Sequence, residues 1–162
     1  MHIPVQRERS EEELRMADAT ATVHELYAAF SRGDLAAILA KLSDDVVWES
    51  EGPAVISSSG IQSRKSRSPG LFGGLNNDFT DHQLTITDYV GAGDTVMTLG
   101  RYTATAKASR RKLDTPIAHC WKFRDGKVVR YIGLSNPAAA IEALQSAESQ
   151  AAAGYVTGQD LK

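Results

Sequence analysis

The chain has 162 residues, 42% of them hydrophobic, which suits one domain with a single substantial core. Its formal net charge of -2 provides no whole-molecule field that would draw it to nucleic acid or to an anionic membrane surface. The one cysteine, Cys120, excludes an internal disulfide and leaves no Cys/His cluster of zinc spacing, so no metal site is expected.

Residues 1–9 are polar, contain Pro4 and are expected to form a flexible arm. The opening MHIPVQRERSEEE lacks the apolar core of a signal peptide, and no apolar run approaches a membrane span, so a soluble cytoplasmic protein is predicted. Ser10-Glu11-Glu12-Glu13 fits a capping box that opens a helix. Leu14, Ala17, Ala21, Val23, Leu26, Tyr27 and Phe30 continue it as an approximate apolar stripe, and Gly33 stops it. Asp34 can cap a second short helix with Leu35, Ile38, Leu39 and Leu42 on one face. Ser43-Asp44-Asp45 breaks that helix, and VVWES at 46–50 reads as a first strand with Trp48 and Ser50 on the same side.

Residues 52–68 are rich in serine, carry Arg64, Lys65 and Arg67, and read as a loop. This loop is expected to be a mobile lid, because ordering so many serines and glycines costs entropy unless something bound beneath helps to hold them. Pro69 opens a weak third helix through Leu71, Phe72 and Leu75, interrupted by glycines. Residues 82–90 and 95–106 are further strands joined by Gly91-Ala92-Gly93-Asp94, and KASRRK at 107–112 is the next turn. In residues 117–123, Ile117, His119, Trp121 and Phe123 alternate with Ala118, Cys120 and Lys122, so the bulky groups share one face. Asp125-Gly126 supplies the two-residue hairpin turn, and residues 128–134 return as the last strand. Asn136 and Pro137 start a final alanine-rich helix, and the end of the chain is expected to fray.

This order of elements predicts the α+β class: a cone-shaped, curved, mostly antiparallel sheet wrapped by N-terminal helices, with a C-terminal helix and a pocket inside. One domain should span residues 10–150, followed by a tail at 151–162. Trp48, Trp121 and Tyr131 are expected on the pocket wall, with hydroxyls from Ser50, Thr103 and Ser135. Such a lining suits a small, mostly apolar ligand with a few oxygens. His119 is a candidate acid or base, since an unperturbed imidazole titrates near pH 6.5, or it simply lines the pocket against Trp121. Arg101 is a candidate anchor for a carboxylate or enolate, or else the partner of Glu49 or Glu51. Cys120 faces away from His119, which disfavours a nucleophilic pair. Tyr102, Val128, Ile132 and Leu134 are assigned to the outer face, whose apolar character predicts a homodimer.

The stretch VHELYAAFSRGDLAAILAKLSDDVVWESEGP, followed by HCWKFRDGKVVRYI and a terminal alanine-rich helix, resembles the SnoaL-like branch of the nuclear transport factor 2-like superfamily, which includes ketosteroid isomerases. The resemblance implies a pocket for a small hydrophobic carbonyl or polyketide-like compound. It also implies proton transfer (isomerisation, cyclisation or dehydration) without metal or organic cofactor, or else non-catalytic binding of such a molecule or of a protein partner in the same cone. The carboxylate base of the isomerases corresponds to Ser50 here, and their tyrosine falls at about Leu26, next to Tyr27. Their protonated carboxylic acid corresponds to His119, which can donate a hydrogen bond in its place. Limonene-type epoxide hydrolases share Arg101, but Thr103 and Gly133 stand where they have carboxylates. For the carboxylate base of SnoaL-type cyclases, His119 is the nearest available substitute.

Overall fold

The structure, a computed structural model, describes residues 10–52, 56–58, 60–63 and 68–145. The N-terminal arm, the C-terminal tail and most of the basic loop at 64–67 lie outside the described residues, as does the second half of the expected terminal helix.

Helix α1 (Glu11–Ser31) begins with a complete capping box: Glu13 donates its backbone N–H to Ser10 Oγ at 3.2 Å, and Ser10 N–H donates to Glu13 Oε2 at 2.9 Å. It buries Ala19, Val23, Leu26 and Ala29, whereas Leu14 stays exposed. Gly33, at φ +67, turns the chain in a conformation that a side chain would resist. Asp34 then caps α2 (Leu35–Lys41) through Ala37 N–H at 3.0 Å.

Strand β1 (Leu42–Ser50) starts four residues before the expected Val46. Ser43-Asp44-Asp45 is an irregularity inside the strand, because Leu42 pairs with Val128 and Val47 with Arg130. The expected loop at 52–68 is also corrected. Residues Gly60–Ser63 form β2, antiparallel to β1, where the exposed sheet edge offers its backbone groups a partner. Helix α3 (Ser68–Asp78) carries Gly74, where a Cβ would lie 2.5 Å from the carbonyl oxygen of Ser57. That close approach lets Asp78 accept from both Ser57 N–H and Ser57 Oγ, which ties residues 56–58 to the helix.

Strands β3 (Phe79–Ala92), β4 (Thr95–Ala106), β5 (Lys112–Arg124) and β6 (Lys127–Leu134) follow as hairpins, and α4 (Pro137–Leu144) closes the described chain. Asp125 and Gly126 both have positive φ, as a tight hairpin turn requires. The sheet order is β2-β1-β6-β5-β4-β3, antiparallel throughout except for the β1–β6 pair.

Bulges decide which side chains face in. Lys122 pairs with Arg130 and Phe123 with Val128, so Val129 is an extra residue and both Val128 and Tyr131 turn inward. Thr87 is extra in β3, so Ile86 and Tyr89 lie on the inner side. On β4 the inner side chains are Val96, Thr98, Tyr102, Ala104 and Ala106. The assignment of Tyr102 and Val128 to the outer face is therefore overturned, because burying them removes far more apolar surface from water than burying Arg101 or Thr103 would. Ile132 does lie opposite the His119 face, since Cys120 pairs with Ile132, whereas Leu134, paired with Ala118 at the end of the strand, also borders the cavity.

The core is in two parts. One joins α1 and α2 to Trp48, Trp121, Phe123, Val128 and Tyr131; the other joins α4 to Phe79, Tyr102, Ala104, Leu113 and Ile117. The cavity lies between them.

Candidate functional site

The cavity has a volume of about 160 Å³ and is walled by α1, α3 and the inner face of the sheet. Engineered apolar cavities of roughly 150 Å³ accept benzene, so one ring fits here and a larger ligand would extend through the mouth. Leu26, Phe30, Leu75, Leu84 and Ile117 supply aliphatic and aromatic surface. Tyr27, Trp48, Ser50, His119, Trp121, Tyr131 and Ser135 all line it.

Two expected site residues do not line it. Arg101 points out from β4, with its side chain 56% exposed and its Nε donating to Asp114 Oδ1 at 2.6 Å. Thr103 lies on the same outer side. Arg101 therefore pairs along the β4–β5 hairpin, not with Glu49 or Glu51; Glu49 pairs instead with Arg130 at 2.9 Å. Tyr102 and Glu51 are among the lining residues that were missed. Tyr102 accompanies His82, whose Nδ1 is 2.7 Å from the Tyr102 hydroxyl. Glu51, one residue beyond Ser50, is the only charged residue in the lining among the described residues. The apolar alternation of Tyr102, Ala104 and Ala106 could have revealed the first, but nothing local distinguishes Glu51 from a solvated acid at a strand end.

The polar centre is the Tyr27 hydroxyl. It stands 2.6 Å from Thr98 Oγ1 and 2.7 Å from His119 Nδ1, and it accepts the Trp121 indole N–H at 3.2 Å. Thr98, His119, Gly133 and Ser50 are neighbours in register across β4, β5, β6 and β1, which fixes the imidazole in the middle of the wall. Tyr27 has one proton to give. If it went to Thr98, the Thr98 proton would have no acceptor in a residue only 1% exposed, a loss of roughly 1–3 kcal/mol. Giving it to His119 Nδ1 lets Thr98 and Trp121 both donate to Tyr27, so the Tyr27, Thr98 and Trp121 donors are all satisfied. His119 is then the Nε2–H tautomer, with that nitrogen making no hydrogen bond to a described residue and available to the cavity.

Burial keeps the ring neutral. It pushes His119 down to about 4, so the ring is neutral and a weak proton acceptor near pH 7. It raises Tyr27 to about 12 and holds Tyr131 well above the ordinary phenol value, so both stay protonated. The arrangement can therefore donate neutral hydrogen bonds to an oxygen and surround the remainder of a ligand with rings. Among the described residues no group of three or more His, Cys, Asp or Glu side chains comes together to hold a metal.

A family comparison matches the SnoaL-like domain to residues 23–131. No match is found among curated protein sequences. Among solved structures, an NTF2-like protein of unknown function from Burkholderia pseudomallei is similar at 24% identity and a TM-score of 0.77, over 81% of this chain and 100% of its own. TerC, co-crystallised with polyporic acid, is similar at 19% identity and a TM-score of 0.73, over 80% and 99%. A protein from Jannaschia sp. CCS1, provisionally named a SnoaL-like polyketide cyclase, is similar at 15% identity and a TM-score of 0.71, over 85% and 96%. With the family match covering well over half of the sequence, the chain belongs to the SnoaL-like domain family, and its fold is the one seen in these NTF2-like neighbours.

Proposed function

We propose that the cavity takes up a small hydrophobic carbonyl compound and catalyses cofactor-independent proton transfer on it. The observation that carries this reading is the Tyr27–His119 hydrogen bond, anchored by Thr98 and Trp121, which aims a neutral N–H donor into an apolar cavity. A carbonyl oxygen accepts from His119 Nε2, and Glu51 at the mouth removes a proton from the adjacent carbon. The electron pair moves to the oxygen and the imidazole N–H holds the enolate; where the substrate carries a C=C next to the acidic carbon, the dienolate takes the proton back at the far end of that double bond, which completes an isomerisation. TerC's complex with polyporic acid supports a small organic ligand for this fold.

A second reading, non-catalytic binding in the same cavity, draws on Ser50, which stands where related isomerases carry their base. The two separate on one experiment. Ring ketones offered in deuterated buffer should exchange their α-protons, followed by NMR, and Glu51→Gln should slow this by roughly 10²- to 10⁴-fold while ligand quenching of Trp48 and Trp121 fluorescence persists. Saturable quenching with exchange no faster than in buffer would leave only the binding module.

We also infer that the outer sheet face pairs with a second copy of the chain. Val90, Met97, Cys120 and Ile132 are neighbours across four strands, and Leu99, Ala118 and Leu134 form the adjoining row. Val90 is 64% and Leu99 53% exposed, an unusual cost for a monomer. Sedimentation should give a dimer, and Leu99→Glu should yield a folded monomer; a monomeric parent protein would reject the interface.

A further inference from the structure

We propose that Tyr131, and not Tyr27, is the second donor that meets the ligand oxygen beside His119, with Gly133 keeping open the space its phenol occupies. This deepens the carbonyl-binding reading above and rests on it. Tyr27 is spent: its single proton goes to His119 and its oxygen already accepts from Thr98 and Trp121. Tyr131 is in the opposite state. Its ring is held by stacking on Trp48 at 3.9 Å and by contacts with Trp121 at 4.5 Å and His119 at 5.1 Å between centroids. Its hydroxyl makes no hydrogen bond to any described residue, yet it is not sealed, because Tyr131 lines the cavity.

Gly133 locates that hydroxyl. A Cβ on Gly133 would lie 2.6 Å from the Tyr131 oxygen and 2.9 Å and 3.0 Å from its ring, so the phenol leans over the glycine. Gly133 pairs with His119 on one side and with Ser50 on the other. The Tyr131 O–H therefore stands over the gap next to His119, where both can reach one oxygen of a planar ring ketone. Two fixed neutral donors, kept from water by Trp48 and Trp121, stabilise a developing enolate better than one.

The probes are acetophenone and cumene, which share a ring and size but differ in the carbonyl. The wild-type protein should bind acetophenone more tightly than cumene, and the infrared C=O band of bound acetophenone should lie below its position in an apolar solvent. Tyr131→Phe should weaken acetophenone by roughly 3- to 10-fold, leave cumene unchanged, and move the band part of the way back. His119→Leu should remove the remaining preference. If wild type shows no preference for acetophenone, the carbonyl-binding reading falls and takes this inference with it. If wild type and His119→Leu behave as stated while Tyr131→Phe matches wild type in affinity and band position, only the role of Tyr131 is overturned. Gly133→Ala provides a second variant, which keeps the hydroxyl but pushes it aside; it should reproduce the selective loss, and an unchanged band there would also reject the assignment.

Discussion

Lowering the pH from 7.5 to 4.5 is expected to remove about 2 to 3 kcal/mol of unfolding free energy from the wild-type protein through His119 alone. In the folded state burial holds its imidazole down to about 4, whereas the unfolded chain protonates it near 6.5. Between these values the unfolded state binds the extra proton, so stability rises with pH. The contribution is complete above about pH 6.5 and is lost as the pH falls towards 4. The groups packed around the ring are Tyr27, Trp121, Tyr131 and Thr98, none of which carries a charge that could rescue the imidazolium. His82 adds in the same direction, since burial lowers it as well. Urea unfolding of wild type and His119→Gln at both pH values tests this. A glutamine amide can accept from Tyr27 and donate to the cavity without titrating, so most of the pH dependence should disappear. Equal pH dependence in the two proteins would show that His119 is not held neutral.

Tyr27→Phe should destabilise the protein by about 2 to 5 kcal/mol, the largest effect expected from deleting one hydroxyl here. The change leaves the Trp121 indole N–H, the Thr98 hydroxyl and His119 Nδ1 without their common partner, in residues that are 4%, 1% and 8% exposed. Each stranded donor costs roughly 1–3 kcal/mol, and rearrangement of the imidazole recovers part of the total. Tyr131→Phe is the internal control. It removes a hydroxyl that no described residue uses, so ligand-free stability should change by less than about 0.5 kcal/mol. Thermal melts would show a fall of roughly 5 to 15 °C for Tyr27→Phe and almost none for Tyr131→Phe. Similar melts for the two variants would contradict the proton count that assigns the Nε2–H tautomer.

Much of this architecture was legible from short-range chemistry. The capping box at Ser10, the caps at Asp34 and Asn136, and the Asp125-Gly126 turn depend only on residues within a few positions of one another. The alternation from Ile117 to Phe123 placed His119 and Trp121 on the covered face, because a regular strand has a period of two. Where the period is interrupted, the same reasoning fails. Val128 and Tyr131 both turn inward because Val129 is extra, and no residue type at that position announces it. On β4 the row of Met97 and Leu99 is as apolar as the row of Val96 and Thr98, so local pattern left the face open.

The sequence by itself determined every described element except β2, their order, and a histidine set among aromatics, since each follows from local periodicity, capping and turn chemistry, while the family was implied by the resemblance of its longer motifs. Only the tertiary structure decided that Arg101 leaves the site, that Tyr102 and Glu51 enter the lining, and that Tyr27 binds Thr98, His119 and Trp121 across separations of 71, 92 and 94 residues. The physical reason is that a side chain's direction depends on bulges and sheet register. A hydrogen-bonded proton is likewise assigned only when all the groups competing for it are in place.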